Sequence, residues 1–374
     1  MNKPKSLKFD NSVNREFTKE LMKRVDSYFR SNNISRNANL NFYIKTAVVF
    51  AMFFVPLGLL FTSMGNSILL TMGLYVVMGL GKACIGLCIM HDANHGAFSK
   101  KKWVNDLFSY SLNAIGGSST NWKIQHNYKH HTYTNIEGHD DDISPAKILR
   151  FSPHADFKPI HKYQHLYAWF FYGLMTFTWI LFKDFKEIFV YQKEGLLQKL
   201  KYNFQREFWI IFATKVVYLT YMIVLPWVFT DIPVWLIFFG FFLMHFIAGF
   251  ILAIIFQPAH VLEENEFLEV PEPVSKVDDS WFAHQLKTTA DFAQGNRIFS
   301  WFVGGLNFQV EHHLFPSIAH VHYHKIAPIV EETAKEFGIP YHNFKTFGAA
   351  IKAHYNMLKA LGDPNIGERY RTLA

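Results

Sequence analysis

Residues 46–81 contain no Lys, Arg, Asp or Glu. A membrane-spanning helix needs roughly 20 apolar residues. This run is too long for one span, and Ser63-Met64-Gly65-Asn66-Ser67 breaks it near its middle. The pattern predicts two helices, about 46–63 and 67–90, joined by a tight turn. A second pair is expected at about 208–229 and 233–258, turning at Thr230-Asp231-Ile232-Pro233. Lys82 lies near the end of its helix, where it is expected to snorkel. Lys215 interrupts the third helix and must reach an interface or a polar neighbour.

Composition agrees with a membrane chain. Of 374 residues, 50% are hydrophobic, 17% aromatic and 18% charged, against roughly 25% charged for soluble domains. Disorder, collagen, a coiled coil and a disulfide-stapled module are excluded. The two cysteines, Cys84 and Cys88, lie one helical turn apart in an apolar run and read as packing. Residues 1–45 hold ten Lys or Arg and four Asp or Glu, which accounts for six of the seven net positive charges. No aromatic-interleaved basic groove or finger motif accompanies them, so no nucleic-acid partner is expected. A basic segment touching a membrane fits better. No short apolar core with a cleavage site opens the chain, so no signal peptide is expected.

Both predicted turns lack Lys and Arg, so the positive-inside rule places 1–45, 91–207 and 259–374 in the cytoplasm. Residues 165–182 are uncharged, and eight of the 18 are Trp, Tyr or Phe. That composition predicts a helix lying at headgroup level rather than a fifth span. The expected fold is an all-α integral membrane protein. A basic N-terminal segment (1–45) leads to hairpin 46–90, cap segment 91–207 with its interfacial helix, hairpin 208–258 and cap segment 259–374.

Histidine concentrates at three places: H-D-A-N-H at 91–95, H-N-Y-K-H-H at 126–131 and Q-V-E-H-H at 309–313. His91 and His95 are i and i+4, on one face of a helix, and His126 and His130 repeat the spacing. His131 adds a neighbouring direction, and Gln309, His312 and His313 are i, i+3 and i+4. His260 directly follows the fourth predicted span. All four groups are therefore expected to meet just below the membrane. Eight imidazoles exceed one ion's needs and fit two; Zn, Cu, Fe and Ni all accept imidazole. Asp92, Asn94, Asp140, Asp141, Asp142, Gln309 and Glu311 are candidates to support the ligands from behind. The dispersed His154, His161, His165, His245, His320, His322, His324, His342 and His354 read as surface or satisfied core residues.

These three motifs resemble the histidine boxes of the integral-membrane fatty acid desaturases. The Gln-first third box followed by Leu314-Phe315-Pro316, and the preceding stretch from Trp301 to Asn307, resemble the front-end subgroup, which adds a double bond between an existing one and the carboxyl end. The resemblance in organisation runs from about 40 to 345. It implies a pair of non-haem irons, O₂ as co-substrate and a long-chain acyl substrate carried as acyl-CoA or acyl-lipid. By position, His91, His95, His126, His130, His131, His312 and His313 would be iron ligands, and His260 the further ligand after the fourth span. Beyond these ligands no side chain is assigned a catalytic part. Gln309 stands where many Δ9-type relatives carry a ligand His. The fused haem motif H-P-G-G of many front-end members does not occur here. Electrons are thus expected from a separate ferredoxin or cytochrome b5-type protein, and a bacterial inner membrane is favoured over endoplasmic reticulum. A di-iron acyl or alkane hydroxylase would need the same ligands. A zinc membrane hydrolase is a more distant alternative. A metal transporter or receptor would place its site nearer the bilayer midplane.

Overall fold

The computed structural model describes residues 7–144, 147–270 and 275–371. Residues 1–6 of the basic N-terminal segment, and 145–146, 271–274 and 372–374 of the expected cap, lie outside the described residues. In chain order the main helices are α1 (Arg15–Ser31), α2 (Leu40–Leu59), α3 (Ile68–Asn94), α4 (119–133), α5 (Gln164–Gly173) and α6 (Asp184–Glu194). They continue with α7 (Phe204–Phe229), α8 (Val234–His260), α9 (Trp281–Lys287), α10 (Gln309–Leu314), α11 (Tyr323–Glu336) and α12 (Phe347–Ala360). Shorter helices and two short parallel strand pairs accompany them: β1 (Lys8–Phe9) with β2 (Lys276–Val277), and β3 (Ala290–Phe292) with β4 (His342–Phe344).

Among the described residues four helices, α2, α3, α7 and α8, are long and apolar enough to cross a membrane. They correspond to the two expected hairpins, with shifted ends. α2 begins at Leu40 because Asn39 caps it, its side chain accepting the Phe42 N–H at 3.1 Å. α3 continues through a π-type turn at Ile85–Met90 to Asn94, so His91 sits in its last turn rather than beyond it. Residues 165–182 do not form one helix. α5 ends at Gly173, a short helix spans Met175–Thr178, and a π-type turn at Trp179–Lys183 leads into α6.

The chain divides into two compact units. The span unit comprises Ala38–Ile124 and Trp169–Ile254. Its helices approach closely at small residues, as apolar helices in lipid do. A Cβ on Gly81 would lie 2.8 Å from the Met52 carbonyl carbon, and one on Gly79 would lie 3.0 Å from the Met244 oxygen. Lys82 does not snorkel. It is 3% exposed, donates to the Ile115 carbonyl and lies 3.5 Å from the Tyr218 hydroxyl. The loop at 115–117 brings the Ile115 carbonyl to the buried Lys82 nitrogen, which removes the need to reach water. Lys215 finds polar neighbours in the same way: Gly116 O and Trp179 O at 2.9 Å and Asp184 Oδ2 at 2.7 Å. His245 is a satisfied core residue, held between the Tyr218 hydroxyl at 2.8 Å and Thr176 Oγ1 at 3.0 Å. Cys84 and Cys88 are buried free thiols.

The polar unit comprises Met1–Asn37, Gln125–Ala168 and Ile255–Ala374. The basic helix α1 turns its apolar stripe (Phe17, Leu21, Val25 and Phe29) into this unit's own core, against Ile326, Val330 and Ala334 of α11. Burying such side chains stabilises by roughly 1.5–3 kcal/mol each. The exposed Lys19–Glu16 and Lys23–Glu20 pairs add about 0–1 kcal/mol each. α1 is therefore held by packing, and its apolar face is spent on protein rather than lipid.

Candidate metal centre

The polar unit assembles six of the predicted imidazoles from three places in the chain. The second cluster lies on α4, whose Lys123–His130 stretch winds as a π-type helix. In an α-helix, 3.6 residues per turn put i and i+5 about 140° apart. Here the wider turn brings His126 and His131 onto one side, with their Nε2 atoms 3.2 Å apart. His131 Nε2 is also 2.9 Å from His312 Nε2 on α10. His260 ends α8, and its carbonyl accepts the Asn135 and Asn265 side-chain amides, each at 3.0 Å, satisfying a helix end that would otherwise be bare. The rings of His130, His260 and His313 then sit 4.6–4.9 Å from one another, centre to centre.

Ligand atoms of His130, His260 and His313 lie within 4.8 Å of one another, as do those of His131, His312 and His313. His313 belongs to both triads, an arrangement suited to two neighbouring ions. The outward nitrogens are anchored. His130 Nδ1 is 3.0 Å from Asp140 Oδ2, His313 Nδ1 is 2.8 Å from Gln285 Oε1, and His260 Nδ1 is 3.4 Å from Thr288 O. His312 Nδ1 lies 3.3 Å from the Tyr323 hydroxyl. Acceptors behind a ring draw the proton to Nδ1 and leave the Nε2 lone pair facing inward. Among the described residues, Nε2 of His130, His260 and His313 is buried with no hydrogen-bond partner. Three such orphans aimed at one another are costly in a folded protein unless a cation joins them. The donor set, all imidazole, fits a transition metal.

Electrostatics divides the clustered imidazoles. Burial works against charging His130, but the neighbouring Asp140, helped by Asp142, more than offsets it and raises the pKa. His313 is held well below the ordinary histidine range by burial and by the surrounding rings of His131, His260, His130 and His126.

In the span unit, His91 and His95 face each other at 4.9 Å between ring centres, and both abut Trp122 at 5.5 Å. Asp92 Oδ1 is 3.6 Å from His91 Nδ1. Asn94 turns to Ser119, whose hydroxyl donates to it at 2.9 Å.

The other supporting candidates part company. Asp140 supports His130 directly, and Asp142 lies 3.6 Å and 3.7 Å from the Nδ1 atoms of His130 and His126. Asp141 instead pairs with Lys129 at 2.7 Å. Glu311 meets no imidazole in this way. Its Oε1 lies 3.0 Å from the Tyr341 hydroxyl, which is also 2.8 Å from Asp291 Oδ2. Burial, with Asp291 nearby, pushes the Glu311 pKa well up. The Gln309 amide approaches His260 without reaching hydrogen-bond geometry, so both its polar atoms stay buried and unmatched. Sequence reasoning missed Gln285, Thr288 and Tyr323. Gln285 lies 28 residues from His313, and no local motif marks it.

Residues 66–345, which contain all three histidine clusters, match the family model described as fatty acid desaturase. The chain belongs to the fatty acid desaturase family. Curated relatives agree over nearly the whole length. The sn-1 linoleoyl-lipid 6-desaturase of Arthrospira platensis is 38% identical over 355 residues, 92% of each chain. The enzyme of the same name from Synechocystis sp. is 34% identical, covering 93% of this chain and 96% of its own. The acyl-lipid (8-3)-desaturase of Physcomitrium patens is 34% identical, covering 96% of this chain and 74% of its own. This desaturase is thus an integral membrane oxidoreductase with four helices long and apolar enough to span a bilayer and histidine clusters compatible with a metal site. These relatives are named as desaturases, which does not favour the hydroxylase reading.

Proposed function

We propose that this desaturase acts on a glycerolipid-bound polyunsaturated precursor, inserting a cis double bond at carbon 6 of a linoleoyl chain, on the carboxyl side of the existing bonds. The relatives from Arthrospira platensis and Synechocystis sp. are named sn-1 linoleoyl-lipid 6-desaturases, and the matches cover more than nine-tenths of both chains. We further propose that His91 and His95 join His126, His130, His131, His260, His312 and His313 in holding two irons on the cytoplasmic side of a bacterial inner membrane. A separate ferredoxin or cytochrome b5-type protein supplies electrons.

The observation that carries this reading is the trio of buried, inward-facing Nε2 atoms on His130, His260 and His313, with their Nδ1 atoms anchored behind. Iron held there would supply the O₂ chemistry that takes one hydrogen from each of two adjacent methylenes, with two donor electrons and two protons from solvent completing the reduction of O₂ to two waters. The protein's part is placement. Asp140, Gln285 and the Thr288 carbonyl hold ring orientation before substrate arrives. Burial of His130, His312 and His313, each 0% exposed, keeps bulk water from the ligands. No side chain is required as nucleophile or general base.

The test is expression in a host lacking polyunsaturated lipids, with a compatible donor and linoleate feeding, followed by gas chromatography of acyl chains. A new triene with its added bond at carbon 6 is expected. A hydroxylated product would favour the hydroxylase reading. An unchanged acyl profile from iron-loaded protein across several fed acids would overturn desaturation.

A further inference from the structure

We infer that Gln285 is a positioning residue. It fixes the tautomer of His313 and so the direction in which that ligand presents its lone pair. The inference rests on the proposed reading that these imidazoles hold iron.

α9 begins at a Ser280 cap, whose hydroxyl accepts the Ala283 N–H at 3.3 Å. Three of its side chains at i, i+3 and i+4 grip one stretch of the second cluster. The Trp281 indole N–H donates to His131 O at 3.0 Å, His284 Nε2 lies 2.8 Å from Thr134 O, and Gln285 Nε2 donates to His131 O at 3.4 Å. Gln285 alone of the three reaches onward to the third cluster. Its Oε1 is 2.8 Å from His313 Nδ1 and 2.9 Å from Thr134 Oγ1. The side chain is fully buried.

An amide has two ends, and here they are not interchangeable. Turning Gln285 over would set its oxygen against the His131 carbonyl, two acceptors face to face. It would also set an N–H against His313 Nδ1. That N–H would force the imidazole proton onto Nε2 and abolish the inward lone pair. The His131 carbonyl thus orients the amide, the amide selects the tautomer, and the tautomer makes His313 a ligand. Because His313 belongs to both triads, one misdirected ring weakens both.

The test uses full-length, detergent-purified protein loaded with Fe(II), with affinity read by competition against a colorimetric chelator and fold by thermal unfolding. Gln285→Met keeps length but offers no acceptor, whereas Gln285→Glu keeps an acceptor toward His313. Gln285→Met should bind Fe(II) about 10–100-fold more weakly than wild type, and Gln285→Glu, which keeps the acceptor toward His313 but loses the N–H that meets the His131 carbonyl, should recover part of that loss. Wild-type affinity in Gln285→Met would overturn the inference and leave the metal centre standing. Equal weakening of both variants would also overturn it, by reducing Gln285 to a packing element. Wild-type protein that fails to bind Fe(II) at all would sink the metal-centre reading, and this inference with it.

Discussion

Replacing Asp140 by Asn should strip most of the iron affinity while leaving the fold standing. Asp140 is fully buried. Its Oδ2 faces His130 Nδ1 and the Asn135 N–H, each at 3.0 Å, and its Oδ1 accepts the Asp142 N–H at 2.9 Å. Asn fills the same space but has one acceptor oxygen, so at least one of these contacts fails and the charge on the His130 bond is lost. A hydrogen bond to a charged group contributes about 1.5–3 kcal/mol. Loss of a ligand's outer partner typically weakens metal binding by about 10–100-fold, or roughly 1.4–2.8 kcal/mol. The two estimates agree, so Fe(II) affinity should fall by one to two orders of magnitude. Chelator competition on purified protein measures it, with Asp141→Asn as the control, because Asp141 pairs with Lys129 instead. If Asp140→Asn holds Fe(II) as tightly as Asp141→Asn, Asp140 merely closes its turn and the orienting argument is wrong.

Lys215→Met should destabilise the span unit by about 3–5 kcal/mol by stranding buried Asp184, and Lys215→Met/Asp184→Leu should recover part of the loss. Recovery stays incomplete because Gly116 O and Trp179 O also lose their donor; denaturation in detergent measures both, and a silent single variant would refute the pairing. His354 is buried and lies 2.9 Å from Val261 O, and burial depresses its pKa to about 4. The unfolded state therefore binds the extra proton first as pH falls. The contribution of neutral His354 is complete above about pH 6.5 and is lost toward pH 4, a swing of roughly 3 kcal/mol. His354→Gln should flatten the pH dependence of unfolding over that interval, and an unaltered slope would show that other groups govern it.

How much of this was legible beforehand depends on how local each cause is. The four spans could be read because a bilayer excludes charge over a whole helix length. Their ends shifted because a single cap, Asn39, or a continuing turn that carries His91, decides the boundary. The clusters could be read because i, i+4 spacing makes one helix face. The contact between His126 and His131 could not, since it needs a π-type turn and nothing in K-I-Q-H-N-Y-K-H announces one. The partners Gln285 and Tyr323 arrive from distant segments, so only folding reveals them. The run Asp140-Asp141-Asp142 shows the limit most sharply. Adjacency to the second cluster made all three equal candidates. A tight turn at Asp141–Ile143 fans successive side chains about 120° apart, so a run of identical residues cannot share one task. Asp140, capping that turn, faces His130, and its neighbour neutralises a lysine. Two chemically identical substitutions one residue apart should therefore differ by at least tenfold in iron affinity, and composition alone could never have separated them.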